Sequence, residues 1–111
     1  MNGNFVPEKE AKVSIYDSSL MFGDMVFEMT RSFNKQQFKL RDHLERLYSS
    51  LKYVHIPLKM TIDEMEKACL ATIEKNEPSF TDTDEHRLMI NVSRGPLSIY
   101  SEIFDGKLGP L

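Results

Sequence analysis

The stretch "MVFEMTRSFNKQQFKLRDHLERLYSSL", residues 25–51, decides the fold prediction because it joins a strand, a turn and an amphipathic helix. In its first nine residues, Met25, Phe27, Met29 and Phe33 share one face, and Val26, Glu28, Thr30 and Ser32 share the other. This alternation predicts a β-strand that packs its Met/Phe face on the core. Arg31 falls on the same face, where a charge needs a partner, a ligand or a route to solvent.

A turn follows this strand at Asn34-Lys35, where Asn-Gly would form the best type I′ turn. A lysine at positive φ is strained by roughly 1 kcal/mol. A tight two-residue turn and a longer or bulged loop are therefore both open. The segment "FKL", residues 38–40, predicts a short returning strand.

Two helices come next. The first is predicted to begin near Asp42, with Glu45 three residues on in a capping-box pattern, and to end before Pro57. The second has a clearer capping box, Thr61 with Glu64. The apolar stripes predicted to face the core are Leu44, Leu47, Tyr48 and Leu51 on the first helix, and Ile62, Met65, Ala68, Cys69 and Ile73 on the second.

The flanking segments complete the order of elements. Residues 1–16 predict a hairpin-like opening, since Val13 and Ile15 alternate with polar residues, and residues 17–24 predict a loop ending on Gly23 at positive φ. Residues 86–95 predict a second strand with Leu88, Ile90 and Val92 on its apolar face, and Met89 is one of the methionines expected in the core. The order β-β-loop-β-β-α-α-β predicts one α+β domain over residues 1–111, with a mostly antiparallel sheet packed on two consecutive helices.

Composition excludes several classes of function. The net charge is −3 and no basic run exceeds two residues, which argues against nucleic acid as the main partner. No stretch approaches the roughly 18 apolar residues of a membrane helix, and no signal peptide is visible. A single cysteine, Cys69, indicates a reducing compartment, so we expect a cytoplasmic protein. The histidines lack metal-ligand spacing, so no metal site is predicted: they are His43, His55 and His86.

Three arginines are the candidates for chemistry. Arg31 and Arg94 fall on the apolar faces of the two predicted strands, and Arg46 projects from the helix beside them. A guanidinium is the usual receptor for a carboxylate or phosphate, because its N–H groups form a planar fork. The trio is therefore either an anion site or three separate ion pairs with the abundant Asp and Glu.

The order of several short motifs gives a second line of evidence on function, besides the three arginines. They are "NG.FVP...A.VS..D" at the start, "FGD.VFE..R" in the first strand, "F.L..HLERL..S" in the first helix and "R.....SRG" in the last strand. Together they span about residues 2–95 and resemble the N-terminal domain of class IV aminotransferases, the fold-type IV pyridoxal-phosphate enzymes. That family includes branched-chain aminotransferases, D-amino acid aminotransferases and aminodeoxychorismate lyases.

The resemblance implies roles for individual residues. Arg46, in "HLERL", falls where the family's arginine binds the cofactor phosphate. Phe27 and Glu28, in "VFE", fall on the strand that lines the active-site pocket, and phenylalanine there slightly favours the branched-chain enzymes. Arg31 matches the arginine of the branched-chain "FEGIR" pattern, but Met29 replaces its glycine, which would reshape the pocket.

The resemblance leaves the substrate open. Arg94, in "VSRG", matches the arginine that captures substrate carboxylate in D-amino acid enzymes, whereas Arg87 falls nearer the carboxylate-binding position of branched-chain enzymes. Arg87 is equally well explained as a solvent-side strand residue. The family implies an amino acid and a 2-oxo acid as substrates, and a homodimer.

The family's Schiff-base lysine lies well downstream, in a second domain. Lys107 is the only lysine after the "SRG" strand, and "DGKLGP" does not resemble the lysine motif. We therefore expect an isolated or truncated N-terminal domain that catalyses no transamination and holds pyridoxal phosphate only weakly. The alternatives are a non-catalytic domain that self-associates, and the N-terminal part of an aminodeoxychorismate lyase, which releases pyruvate by β-elimination.

Overall fold

Strand β1, Met25–Phe33, is the central strand in the computed structural model, which describes residues 1–99. Strands β2, Gln36–Gln37, and β3, Arg87–Ser93, lie on either side of it in the order β2-β1-β3. The sheet is antiparallel, and β1 meets β2 with Ser32 opposite Gln37. The predicted α+β class, with an antiparallel sheet and helices, is confirmed.

The described residues divide into two compact units. The first contains residues 1–25 and 92–99, and the second contains residues 26–91.

The core of the 26–91 unit comes from the sheet and two helices, α2, Leu40–Tyr53, and α3, Ile62–Asn76. The apolar side chains that are buried are Leu40, Leu44, Leu47, Leu51, Ile56, Cys69, Leu88 and Ile90. The predicted leucine stripe and the core position of Cys69 are thus confirmed. Tyr48 is only half-buried, and its hydroxyl donates to the carbonyl of Met60 at 2.6 Å.

The core face of β1 is the opposite of the one predicted. The buried residues are Glu28, Thr30 and Ser32, and the exposed ones are Phe27, Met29, Arg31 and Phe33. Met89 of β3 is exposed as well, so the predicted core positions of Met29 and Met89 are wrong. Polar residues tolerate burial here because each has partners, as for the hydroxyl of Thr30, which donates to the side-chain oxygen of Gln37 at 2.5 Å.

The turn after β1 is the tight two-residue turn. Asn34 and Lys35 have φ values of 51° and 64°, as a type I′ turn requires, and Phe33 pairs with Gln36. The returning strand is therefore Gln36–Gln37, two residues earlier than the predicted "FKL".

Helix α2 begins at Leu40, two residues before the prediction, and Lys39 at its N-cap makes no side-chain capping bond. The Asp42/Glu45 capping box is therefore not formed. The helix ends before Pro57 as predicted, in a turn where the backbone N–H of Ile56 donates to the carbonyl of Leu51 at 2.9 Å.

Helix α3 begins as predicted, but its predicted core stripe is only partly buried. Cys69 is buried, Ile62, Met65 and Ile73 are half-buried, and Ala68 is exposed, so the predicted core position of Ala68 is wrong. Thr61 is its N-cap, and both bonds of the capping box with Glu64 are present. The capping box, which is the strongest local signal in the sequence, therefore forms as predicted.

The other unit lacks the predicted opening hairpin. Residues 1–16 contain a 3₁₀ turn at Glu8–Glu10 and no strand, and Val13 and Ile15 are exposed. A two-stranded hairpin is marginal without a further layer to pack on. Within the predicted loop 17–24, a short helix α1, Ser18–Phe22, forms between Asp17 as N-cap and Gly23 at φ 68°, so the positive φ of Gly23 is confirmed.

Among residues 1–99, no helix has both the length and the apolar character needed to cross a membrane. Lys107, the lysine that follows the "SRG" strand, lies outside the described residues.

Candidate functional site

The side chain of Arg46 is held on the carboxylate of Glu28. Arg46 projects from α2 and Glu28 from the middle of β1, and the two groups meet fork to fork: Nε donates to Oε1 at 2.5 Å and Nη2 donates to Oε2 at 2.7 Å. Glu28 is buried, whereas the Arg46 side chain is 68% exposed. A bidentate pair of this kind fixes both the position and the plane of the guanidinium.

His43 completes this cluster from the same helix. It precedes Arg46 by three residues, so both side chains lie on one face of α2. Its Nδ1 lies 2.8 Å from Oε2 of Glu28, which places an N–H donor beside each carboxylate oxygen. We call Glu28, His43 and Arg46 the Arg46 cluster.

The charges of the cluster are complementary. The hydrogen bond from Arg46 lowers the pKa of Glu28 from its ordinary value of 4.5, and it outweighs the burial that acts to raise it. The same hydrogen bond raises the pKa of Arg46. Glu28 is therefore a carboxylate and Arg46 a cation at neutral pH.

Three further predicted site residues lie on the exposed face of the sheet. Phe27 is 58% exposed, and Arg87 on β3 is exposed too. The guanidinium of Arg31 stacks over the ring of Phe33, with 4.2 Å between Cζ and the ring centroid, and its Nε donates to the carbonyl of Ser32 at 3.2 Å. The structure thus gives Arg31 the route to solvent that its position on the apolar face requires.

Arg94 has an acidic partner within the first unit. Its Nε donates to Oδ2 of Asp24 at 2.5 Å and its Nη2 donates to Oδ1 at 3.3 Å. The backbone N–H of Arg94 also donates to the carbonyl of Asp24 at 3.3 Å. The side chain and the backbone therefore both join residue 94 to the residue that precedes β1.

The sequence left two interpretations of the arginine trio open. Within the 26–91 unit, Arg46 reaches Glu28 on the buried side of β1, whereas Arg31 lies on the exposed side. These two arginines therefore do not form one anion site. Arg46 and Arg94 each have a carboxylate partner, which favours separate ion pairs for them.

The carboxylate partners of the arginines, Glu28 and Asp24, and the contact of His43 with Glu28 were not predicted from the sequence. A signal for Glu28 and His43 was present there. Glu28 follows the apolar run 25–27 inside a predicted strand, where a carboxylate needs a cation, and the H-x-x-R spacing presents His43 and Arg46 together.

Among the described residues, no group of three or more His, Cys, Asp or Glu side chains could hold a metal ion. A surface groove of about 260 Å³ on α3 is lined by Asp63, Glu66, Lys67 and Leu70, none of which is a predicted site residue. The guanidinium of Arg46 keeps an exposed edge with N–H donors, which is the kind of group that can pair with a phosphate or a carboxylate.

A comparison with protein families decides the family. The model of the family described as amino-transferase class IV matches residues 25–108, which include all three strands of the sheet and the two long helices, α2 and α3. The chain belongs to the class IV aminotransferases. Enzymes of this family depend on pyridoxal phosphate.

Curated relatives of this class IV chain carry the names of two kinds of enzyme. A putative branched-chain-amino-acid aminotransferase of Methanocaldococcus jannaschii is 43% identical over 76 residues, which cover 68% of this chain and 26% of the relative. A D-alanine aminotransferase of Staphylococcus epidermidis is 33% identical over 76 residues, with 68% and 27% covered.

Solved structures of aminotransferases are also similar to this chain. The branched-chain amino acid aminotransferase of Escherichia coli superposes with a TM-score of 0.75 at 30% identity, covering 85% of this chain and 31% of that one. The branched-chain aminotransferase of Thermoproteus uzoniensis, solved with norvaline, gives a TM-score of 0.63 at 33% identity, with 80% and 29% covered. The chain thus corresponds to the N-terminal domain of these enzymes and spans about a quarter to a third of their length.

Proposed function

We propose that the chain serves as the N-terminal domain of a pyridoxal-phosphate-dependent aminotransferase and that Arg46 binds the phosphate of the cofactor. The observation that carries the proposal is the geometry of Arg46. Its guanidinium is fixed on Glu28 by one edge, and the side chain is largely exposed. When bound, pyridoxal phosphate supplies the electron sink for moving an amino group between an amino acid and a 2-oxo acid.

The other predicted contacts belong to the same proposal. Phe27, Arg31 and Arg87 would meet the substrate from the exposed face of the sheet, where an apolar side chain and two cations suit an amino acid with an apolar side chain and a carboxylate. The branched-chain class is favoured by Phe27 and by the relatives. Arg94 stays a candidate for the substrate carboxylate, in which case Asp24 would have to share it.

The proposal is tested by titrating the chain with inorganic phosphate and with pyridoxal phosphate while the side-chain resonances of its arginines are followed by NMR. We expect both ligands to shift the Arg46 signal. Arg46→Gln should abolish the response, whereas Arg41→Gln on the same helix should preserve it, because Arg41 is paired with Asp63 at 2.5 Å and Glu66 at 3.0 Å. An equal response in both variants would refute the assignment of Arg46.

The family's lysine motif, which residues 1–111 do not match, leads to a second expectation. Borohydride should attach pyridoxal phosphate to the lysines of this chain at random and below one equivalent, and the chain with the cofactor should give no transamination. Stoichiometric labelling of one lysine, found by peptide mapping, would show that the chain carries its own cofactor lysine.

A second candidate function is self-association through the exposed sheet face. The apolar residues exposed there are Phe27, Met29, Phe33 and Met89. A sheet face on which large apolar side chains are exposed is typical of a surface that another protein layer covers. Sedimentation equilibrium should show dimers that Met29→Lys weakens, whereas Tyr53→Lys, which changes an exposed ring at the end of α2, should not. A clean monomer at high concentration would refute this function.

A further inference from the structure

Glu28 does more for Arg46 than neutralise it. We propose that Glu28, held in turn by His43, is a positioning residue that sets the direction in which Arg46 offers its free N–H groups to a phosphate. The inference rests on the proposed function, because it concerns the same phosphate site.

The fork contact divides the guanidinium into two edges. Nε and one N–H of Nη2 donate to Glu28, which leaves three of the five N–H groups that an arginine carries. For those three, residues 1–99 offer no protein acceptor. Because the group is planar and one edge is bound to a buried carboxylate, the direction of the other edge is set by β1 and α2 and not by free rotation of the side chain.

His43 further restrains the orientation of the Glu28 carboxylate. A carboxylate whose partner is a single flexible side chain can rotate about its terminal bond, and that partner then moves with it. Here Oε2 has two donors, Nη2 of Arg46 at 2.7 Å and Nδ1 of His43 at 2.8 Å. His43 and Arg46 come from one face of the same helix, so the carboxylate plane is fixed relative to α2.

Glu28 acts on an anion at Arg46 in two opposing ways. Its negative charge repels every anion, whatever the shape of that anion. The orientation that Glu28 imposes on Arg46 strengthens the binding only of an anion whose oxygens accept hydrogen bonds in defined directions, such as tetrahedral phosphate. It does not strengthen the binding of a spherical chloride ion. A role through charge and a role through position therefore differ in the selectivity for phosphate over chloride.

The test uses the full chain, labelled with ¹³C and ¹⁵N, and follows the Cζ resonance of Arg46, which Arg46→Lys identifies by removing it. Phosphate and chloride are titrated separately at the same ionic strength. In Glu28→Gln we expect the affinity for chloride to rise or stay level, and the ratio of phosphate to chloride affinity to fall roughly three- to tenfold, as expected when one side chain loses its fixed orientation.

Two further variants separate the effect of position from the effect of charge. His43→Ala retains the charge of Glu28 and should lower the same ratio without raising the affinity for chloride. Glu66→Gln removes a carboxylate that pairs with Arg41 of α2 and should leave the ratio at Arg46 unchanged.

The outcomes separate the two proposals. If Glu28→Gln raises both affinities equally and His43→Ala changes neither, Glu28 acts through charge alone and the positioning role is refuted while the phosphate site stands. If phosphate does not shift Arg46 in the unmodified chain, the phosphate site fails, and the positioning role fails with it.

Discussion

The hydroxyl of Ser32 accepts the backbone N–H of His86 at 2.7 Å and donates to a carboxylate oxygen of Glu85 at 3.1 Å. This one buried side chain therefore joins β1 to the segment that leads into β3, 54 residues later in the chain. Long-range polar contacts of this kind explain why the buried face of β1 can be polar, since each group that leaves water gains a partner.

The first prediction compares two serines that are both fully buried, Ser32 and Ser18. Ser32→Ala should destabilise the 26–91 unit by about 1–3 kcal/mol, because it leaves the His86 N–H without its acceptor. Ser18→Ala should be neutral or slightly stabilising, because the Ser18 hydroxyl has no hydrogen-bond partner within the described part of the chain. Urea unfolding of both variants measures this, and equal costs would contradict it.

The second prediction concerns the pH dependence of stability through Glu85. Oε1 of Glu85 accepts the backbone N–H of Lys35 at 2.9 Å, and this bond is the main cause that lowers its pKa from the ordinary 4.5. A lowered folded-state pKa contributes stability that is fully present above the unfolded-state pKa and is lost as pH falls through the folded-state value.

Glu85→Gln should therefore be less stable than the unmodified chain at neutral pH, and the two should converge in acid below pH 4.5. Unfolding by urea at a series of pH values measures the difference. Asp82→Asn, which changes a neighbouring acid that no described contact involves, serves as the control. A difference between the Glu85 variant and the unmodified chain that does not change with pH would contradict the role of ionised Glu85.

The third prediction concerns the strained turn. Lys35 has a φ of 64°, which costs a residue with a side chain more than it costs glycine. Lys35→Gly should therefore be more stable than Lys35→Ala by roughly 0.5–1 kcal/mol. The comparison is matched, because both variants lose the bond from Nζ to the carbonyl of Thr81 and the ion pair with Glu77. Equal unfolding midpoints would show that the turn stores no strain.

Local signals in the sequence were sufficient to predict where some elements begin. Thr61 and Glu64 form their capping box because both partners lie within one turn of the helix. Asp42 and Glu45 show the same spacing without the bond, because α2 begins two residues earlier, at Leu40. The packing of Leu40 in the core, which depends on tertiary structure, determined the start of the helix.

Other features depend on residues that are distant in the sequence. Alternation in β1 indicates two faces, but which face the helices cover depends on α2 and α3. The carboxylate of Glu28 is stable on the covered face only because His43 and Arg46, 15 and 18 residues later, reach it. The motif suggested the role proposed for Arg46, whereas the geometry of its side chain depends on this pairing.

The final prediction tests which face of the sheet is the core, using neighbours on β3. Leu88 is buried and Met89 is half exposed. Leu88→Ala should cost about 2–4 kcal/mol of unfolding free energy, because it removes a packed side chain and leaves a cavity. Met89→Ala should cost less than about 1 kcal/mol, because the side chain already contacts solvent. Urea unfolding of both variants, run at low protein concentration so that self-association does not contribute, gives the two values. If Met89→Ala were as costly as Leu88→Ala under these conditions, the exposed Phe27 and Met29 face would be covered within the chain itself and could not be the surface that meets substrate or a second copy.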